Sequence, residues 1–153
     1  MQFEGRVEAI HIAAESGAPL TALARVRAVA GKGLEGDRNF GATHKGEAVP
    51  QDALTLIEAE SIEAVARDLG IELAPGETRR NLTTRGVPLN HLVGQRFRVG
   101  GAVALGYELC EPCKHLESLT NKSLIKPLLH RGGLRAYIVE DGEIEVGAAI
   151  VPL

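Results

Sequence analysis

The clearest periodicity in the chain runs from Glu58 to Leu69. There Ile62, Val65, Ala66 and Leu69 recur at helical spacing among Glu, Ala, Ser and Arg. Gly70 stops this predicted helix, Pro75-Gly76 follows, and its polar remainder suits a helix that covers one face of something larger. Most of the remaining pattern is that of strands. Val7 to Ala13 is apolar and partly β-branched, and Ala24 to Val29 alternates as a half-buried strand does. Leu54 to Ile57 reads as a short strand just before the helix, and Asn81 to Thr84 as another. Arg96 to Val99 alternates and turns at Gly100-Gly101 into Ala102 to Leu109, with Val103, Leu105, Tyr107 and Leu109 on one side. Ser118 to His130 is predicted helical in pieces, interrupted at Pro127. Arg135 to Val139 and Glu143 to Val146 flank Glu140-Asp141-Gly142, and Asp-Gly between β-like runs predicts a hairpin.

Strands dominate both ends and helices are few, without the strand-helix-strand alternation of a parallel sheet. The pattern favours a mainly β chain with a few helices (α+β), arranged as a mixed or antiparallel β-barrel. No repeat or linker divides residues 1–153, so they read as one domain. A chain of this length buries roughly 70% of its unfolded surface and needs no staples. Only 3% of residues are aromatic and none is Trp, so Ala, Val, Leu and Ile must build the core.

The net charge of -3, from 17 Lys+Arg against 20 Asp+Glu, gives no general pull toward nucleic acid or membrane. Two cysteines do not make a secreted disulfide framework. The N-terminal residues lack a signal-peptide pattern, and no apolar run approaches the roughly 20 residues that cross a bilayer. A cytoplasmic location is the expectation.

The most specific chemical feature is Cys110-Glu111-Pro112-Cys113-Lys114-His115, at the end of a predicted strand. A thiol near cations shifts toward thiolate, which is both nucleophile and soft metal ligand, and Lys114 and His115 adjoin Cys113. The plain reading is two reduced cysteines in a packed turn. Structural zinc would have to recruit two of His91, His115 and His130. A thioredoxin-like pair suits Cys-x-Pro-Cys but belongs early in a βαβ unit, which is missing here. The last reading is a single thiolate that holds a metal cofactor or a persulfide.

Two segments offer anion donors. Gly31 to Arg38 packs three glycines into a loop ending in Arg38, without a P-loop pattern. Arg79-Arg80-Asn81-Leu82-Thr83-Thr84 brings adjacent guanidiniums, an amide and hydroxyls, and is the stronger phosphate candidate. His11, in a strand run, reads as a satisfied or exposed residue. His44 reads as a loop residue.

In order, Gly33-Leu34-Glu35-Gly36-Asp37-Arg38, Arg80-Asn81-Leu82-Thr83-Thr84, Leu92 to Gly100 and Cys110-Glu111-Pro112-Cys113 resemble the MOSC domain. That is the C-terminal domain of molybdenum cofactor sulfurases, also found as small stand-alone bacterial proteins. Arg131 to Ala136 and Ile144 to Gly147 look like its closing segment, so the resemblance spans nearly the whole chain. It implies a β-rich barrel of MOSC type and a molybdenum cofactor (molybdopterin), with a link to pyridoxal phosphate through the family. By resemblance to the amidoxime-reducing enzymes, Cys113 ligates the metal and is the catalytic residue. Arg38, Arg80 and Asn81 contact the pterin and its phosphate, with Thr83 and Lys114 as further cofactor-binding residues. Two activities stay open: reduction of N-hydroxylated substrates, and sulfur carriage with Cys113 as a persulfide. A thiol-disulfide protein using Cys110 and Cys113 is a third reading. The resemblance further implies a small-molecule ligand and a cysteine desulfurase or redox protein as partner. A homo-oligomer, or another protein, would complete the enclosure that the larger reductases make with an additional N-terminal barrel.

Overall fold

The computed structural model describes residues 1–153. Its strands run β1 Gly5–Ile12, β2 Thr21–Leu23, β3 Arg25–Val29, β4 Gly33–Leu34, β5 Thr43–His44, β6 Glu47–Ala48 and β7 Leu54–Glu58. Helix α1, Ala59–Leu69, precedes β8 Leu82–Arg85, β9 Arg96–Val99 and β10 Ala102–Leu109. Helix α2, Lys114–Thr120, precedes β11 Leu134–Glu140, β12 Gly142–Glu145 and β13 Ala149–Pro152.

Seven strands close into a mixed barrel in the order β13-β9-β10-β11-β7-β8-β1, with β1 pairing back onto β13 and β2 added beside β1. Closure leaves no open edge among the seven. Every pairing in the ring is antiparallel except β7–β8, where Leu56 faces Leu82 and Ile57 faces Thr83. Parallel neighbours need a crossover rather than a tight turn, and α1 supplies it. Its apolar stripe suits a crossover that packs on the barrel wall. Val65 is buried, Gly70 caps the end at φ 68°, and the opposite face is charged.

The barrel interior is a cluster of 20 buried residues, aliphatic apart from Phe97. A second cluster of Ile57, Val65, Leu116, Leu124 and Leu128 ties α1, α2 and the turn after α2 together. No helix is long and apolar enough to cross a membrane.

On β10, Ala102, Val103 and Ala104 are buried, while Leu105 is half-exposed and Tyr107 is exposed. Ala104 lies opposite Phe97, and both belong to the main core cluster. Three expectations are corrected. Leu69 ends the helical stripe on the surface rather than against the core. The helix predicted from Ser118 to His130 begins earlier, at Lys114, and ends at Thr120, where Asn121 turns left-handed at φ 56°. Glu117 then accepts hydrogen bonds from the Leu124 and Ile125 amides and fixes the following segment as turns. Finally, Asp141-Gly142 does not fold β12 back onto β11. Strand β12 pairs with β3, and the Asp141 carboxylate accepts the Ala30 amide at 2.6 Å across that junction.

Candidate functional site

The chain leaves β10 at Leu109, and the next four residues carry it to α2. Cys110 is buried, with its amide donating to Gly133 O at 2.8 Å. Cys113 is exposed. It is the N-cap residue of α2, extended at φ −140° and ψ 172°, and its side chain makes no capping hydrogen bond. The sulfur is therefore not engaged by the helix.

Both cysteines line a cleft of about 190 Å3 with Arg38, Arg79, Arg80 and Arg135. Ser16, Asn39, Thr55 and His115 add polar groups, and no Asp or Glu lines it. The arginines come from three separate places: the loop after β4, the segment leading into β8, and β11.

Arg38 is aimed by Asp37, a buried carboxylate that accepts the Ala13 amide at 3.1 Å and Arg38 Nη1 at 3.0 Å. Arg38 Nη2 also donates to Arg79 O at 3.2 Å. Arg135 makes only loose pairs, 3.8 Å to Asp52 and 3.7 Å to Glu108, both half-solvated and worth under about 1 kcal/mol each.

Arg80 is buried and has no carboxylate partner. Its Nε donates to Gly132 O at 2.8 Å, Nη2 to Cys110 O at 3.0 Å and Nη1 to Thr78 O at 3.4 Å. Burial pushes the pKa of its guanidinium down from the ordinary value. The neighbouring Cys110 and Cys113 oppose that shift, while Arg135 and Arg38 add to it. Arginine stays protonated regardless, so a buried cation sits here among neutral carbonyls. Arg79 makes neither a side-chain hydrogen bond nor an ion pair with the protein. Burial lowers its pKa, Arg38 lowers it further, and Asp37 partly offsets both. Arg38, Arg79, Arg80 and Arg135 thus place four positive charges around one cleft that no carboxylate lines.

The close approach of Gly132-Gly133 builds this arrangement. Gly133 is at φ 119°, and a Cβ there would lie 2.0 Å from Leu56 O and 3.5 Å from Arg80 Nε. We expect Gly133→Ala to destabilise the fold by about 3 kcal/mol or more, read from denaturant unfolding, because both backbone strain and a clash with fixed backbone must be relieved.

Arg79 is itself left-handed, at φ 62°. That conformation costs a non-glycine residue about 1–2 kcal/mol. Arg79→Gly should leave the unfolding midpoint unchanged or slightly raised, since relieved strain offsets the added entropy of the unfolded chain. Phosphate affinity, measured by calorimetric titration, should fall about tenfold, the loss expected for one charge-assisted hydrogen bond.

The structure thus brings Cys113, Arg38 and Arg80 into one cleft. It does not bring Asn81, Thr83 and Lys114 there. Asn81 is wholly buried: Oδ1 accepts from the Thr55 amide and hydroxyl, and Nδ2 donates to His11 O at 3.1 Å. It is a joint between β1, β7 and β8. Thr83 lines a separate cleft, because side chains alternate along β8 and its face is not that of Leu82 and Thr84. Lys114 is exposed on α2 and outside the lining. Sequence reasoning missed Arg135 and Thr55, which are partners across β11 and β7, and Asn39 and Ser16, which lie on loops. Arg79 was signalled by its adjacency to Arg80. No group of three or more His, Cys, Asp or Glu side chains converges, so the zinc reading lacks its ligands.

A family model described as the MOSC domain matches residues 35–151. No curated protein matches the sequence. Among solved structures, the chain is similar to the YUAD protein from Bacillus subtilis, with TM-score 0.82 and 19% identity over 99% of this chain and 96% of that one. YiiM from Geobacillus stearothermophilus superposes with TM-score 0.75 at 17% identity, over 97% of this chain and 75% of that one. YiiM from Escherichia coli gives TM-score 0.68 at 21% identity, over 100% of this chain and 70% of that one. These likenesses show the fold.

Proposed function

The chain belongs to the MOSC domain family, and from that premise we propose that the arginine-lined cleft binds an anionic sulfur or cofactor group with Cys113 as its thiolate. The observation that carries this reading is the convergence of four guanidiniums and an exposed thiol in a cleft without a carboxylate.

The residues fit a molybdenum cofactor chemically. When bound, such a cofactor supplies a metal that exchanges electrons and oxygen with a substrate, for which N-hydroxylated compounds are the proposed class. Cys113 offers the soft ligand suited to a metal already surrounded by sulfur. Arg79 offers a planar donor fork for a phosphate, Arg38, held by Asp37, offers another guanidinium with fixed direction, and Arg80, whose nitrogens already donate to carbonyls, adds buried positive charge. Arg80 keeps the cysteine segment and the Gly132 turn at a set separation by bonding to both.

A second reading, sulfur carriage, is favoured by the size of the cleft. About 190 Å3 is below the usual range for an enclosed cofactor, while it readily takes a sulfur atom or an oxyanion. In that reading the Cys113 thiolate attacks the outer sulfur of a donor protein's persulfide, and the donor thiolate leaves. The arginines then hold the new persulfide as an anion. A cysteine desulfurase or redox protein in the cytoplasm is the proposed partner, and a second copy or another protein would close the cleft around a larger ligand.

The test is molybdenum analysis and pterin fluorescence on freshly purified protein, before any reductant or chelator is added. Stoichiometric metal and pterin support cofactor binding. Their absence, together with the added mass of one sulfur on Cys113 after incubation with a cysteine desulfurase and cysteine, supports carriage. If neither is found, the proposal fails.

A further inference from the structure

The cleft at Cys113 continues past Arg79. A second recess, of about 260 Å3, opens beyond that residue, and Arg79 is the one side chain that lines both. Two walls run on from one to the other. On one side Ser16 and Gly17 give way to Pro19 and Leu20. On the other, His115 and Leu116 give way to Leu119 and Thr120, one turn further along α2. The third wall is the turn at residues 74–79, which carries Arg79. Gly76 fixes that turn against the barrel: it is left-handed at φ 80°, and a Cβ there would come within 2.8 Å of His11 Cδ2. His11 is itself buried, and its Nδ1 has no hydrogen-bond partner, which corrects the expectation that it is satisfied or exposed.

The other polar side chains of the recess are paired within the protein. Glu77 Oε1 accepts from the Ala74 amide at 2.8 Å and from Lys122 Nζ at 2.7 Å, so its charge is matched. The Thr120 hydroxyl donates to Leu116 O at 2.9 Å. The remaining side chains, Pro19, Leu20, Ala74, Pro75 and Leu119, are apolar. A guanidinium without a partner therefore stands between a polar cleft that holds a thiol and a recess that offers only apolar surface. Each space alone is smaller than the usual small-molecule site, and together they fall within its range.

Resting on the reading of the Cys113 cleft as an anion site, we infer that the ligand is an organic anion with an apolar body. Its phosphate, sulfonate or carboxylate group is held at Arg79 beside Cys113, and its apolar part lies in the recess between Pro19-Leu20 and Leu119. A bare oxyanion or a single sulfur atom would make no use of the recess.

Protection of Cys113 from iodoacetamide tests this in the full chain, with inorganic phosphate and hexyl phosphate as probes. Each methylene taken out of water is worth about fourfold in affinity, so burying only two of them predicts half-protection by hexyl phosphate at a concentration about tenfold lower or less. Hexanol, which lacks the anion, should give no protection at that concentration. Leu119→Gln makes the recess polar from an exposed position on α2. It should cut the advantage of hexyl phosphate by about threefold or more and leave protection by inorganic phosphate unchanged. Leu20→Gln, on the opposite wall, gives the same reading if the first variant does not fold. The inference is overturned if hexyl phosphate protects no better than phosphate, if hexanol protects equally, or if the folded variant keeps the full advantage. Those results leave the anion site standing, whereas no protection by either phosphate overturns that site and this inference with it.

Discussion

Replacing Cys113 with Ser is expected to reduce bound molybdenum, or sulfur captured from a desulfurase, to background while leaving the protein as stable as before or more so. The two halves of this expectation have separate causes. The Cys113 side chain is exposed and makes no capping bond at the start of α2. Serine there has the hydroxyl that N-cap positions prefer, and a Ser cap gains about 1 kcal/mol over a side chain that does not cap. For a domain of this size that is a rise of about 2–4 °C in the unfolding midpoint. A hydroxyl, however, is neither a soft metal ligand nor able to carry a sulfane sulfur. Thermal unfolding with metal analysis and intact mass reads both effects. A fall in stability would mean that the sulfur is a packing element, and retained sulfur or metal would move the chemistry elsewhere.

Arg80→Met is expected to produce the opposite division, with a large loss of stability. Met has a similar length and removes an unpaired buried charge, which is favourable by itself. It also leaves Gly132 O, Cys110 O and Thr78 O without a donor, all three on buried residues. Each orphaned carbonyl costs about 1–3 kcal/mol. Three of them outweigh the gain, so the expected loss is about 3–5 kcal/mol in denaturant unfolding, roughly a 10 °C drop in midpoint. Arg80→Lys should recover part of that loss, because an ammonium group can satisfy some but not all of three acceptors in different directions. A fully stable Arg80→Met protein would contradict the bracing role and leave Arg80 with ligand binding alone.

The β-rich class was legible because strands such as Arg96–Val99 and Ala102–Leu109 alternate and end on glycine or turn residues. Barrel closure was not, since the pairing of β1 with β13 joins opposite ends of the chain and leaves no local trace. The sequence of β10 likewise does not say which side turns inward, and its burial does not alternate cleanly: Ala102, Val103 and Ala104 are all buried. The same limit governed the site. Cys113, Arg38 and Arg80 stand in motifs whose local chemistry could be read directly. Asn81 belongs to the same motif yet serves as a joint, and only the positions of Thr55 and His11 reveal it. Arg135 lies in a strand where an arginine ordinarily faces water, and its place in the cleft follows from β11 lying between β10 and β7. His11 was unremarkable in sequence because burial without a partner is a property of the loop folded over it.

The central claim is that the sulfur of Cys113 and the guanidiniums of Arg38, Arg79 and Arg80 share one anion-binding cleft. The rate at which iodoacetamide alkylates Cys113, followed by peptide mass with and without inorganic phosphate, tests it most directly. Phosphate should slow the labelling of Cys113 saturably, Cys110 should stay unlabelled in its buried position, and Arg79→Gly should raise the protecting concentration about tenfold. A labelling rate indifferent to phosphate would show that the thiol and the arginines do not share a site.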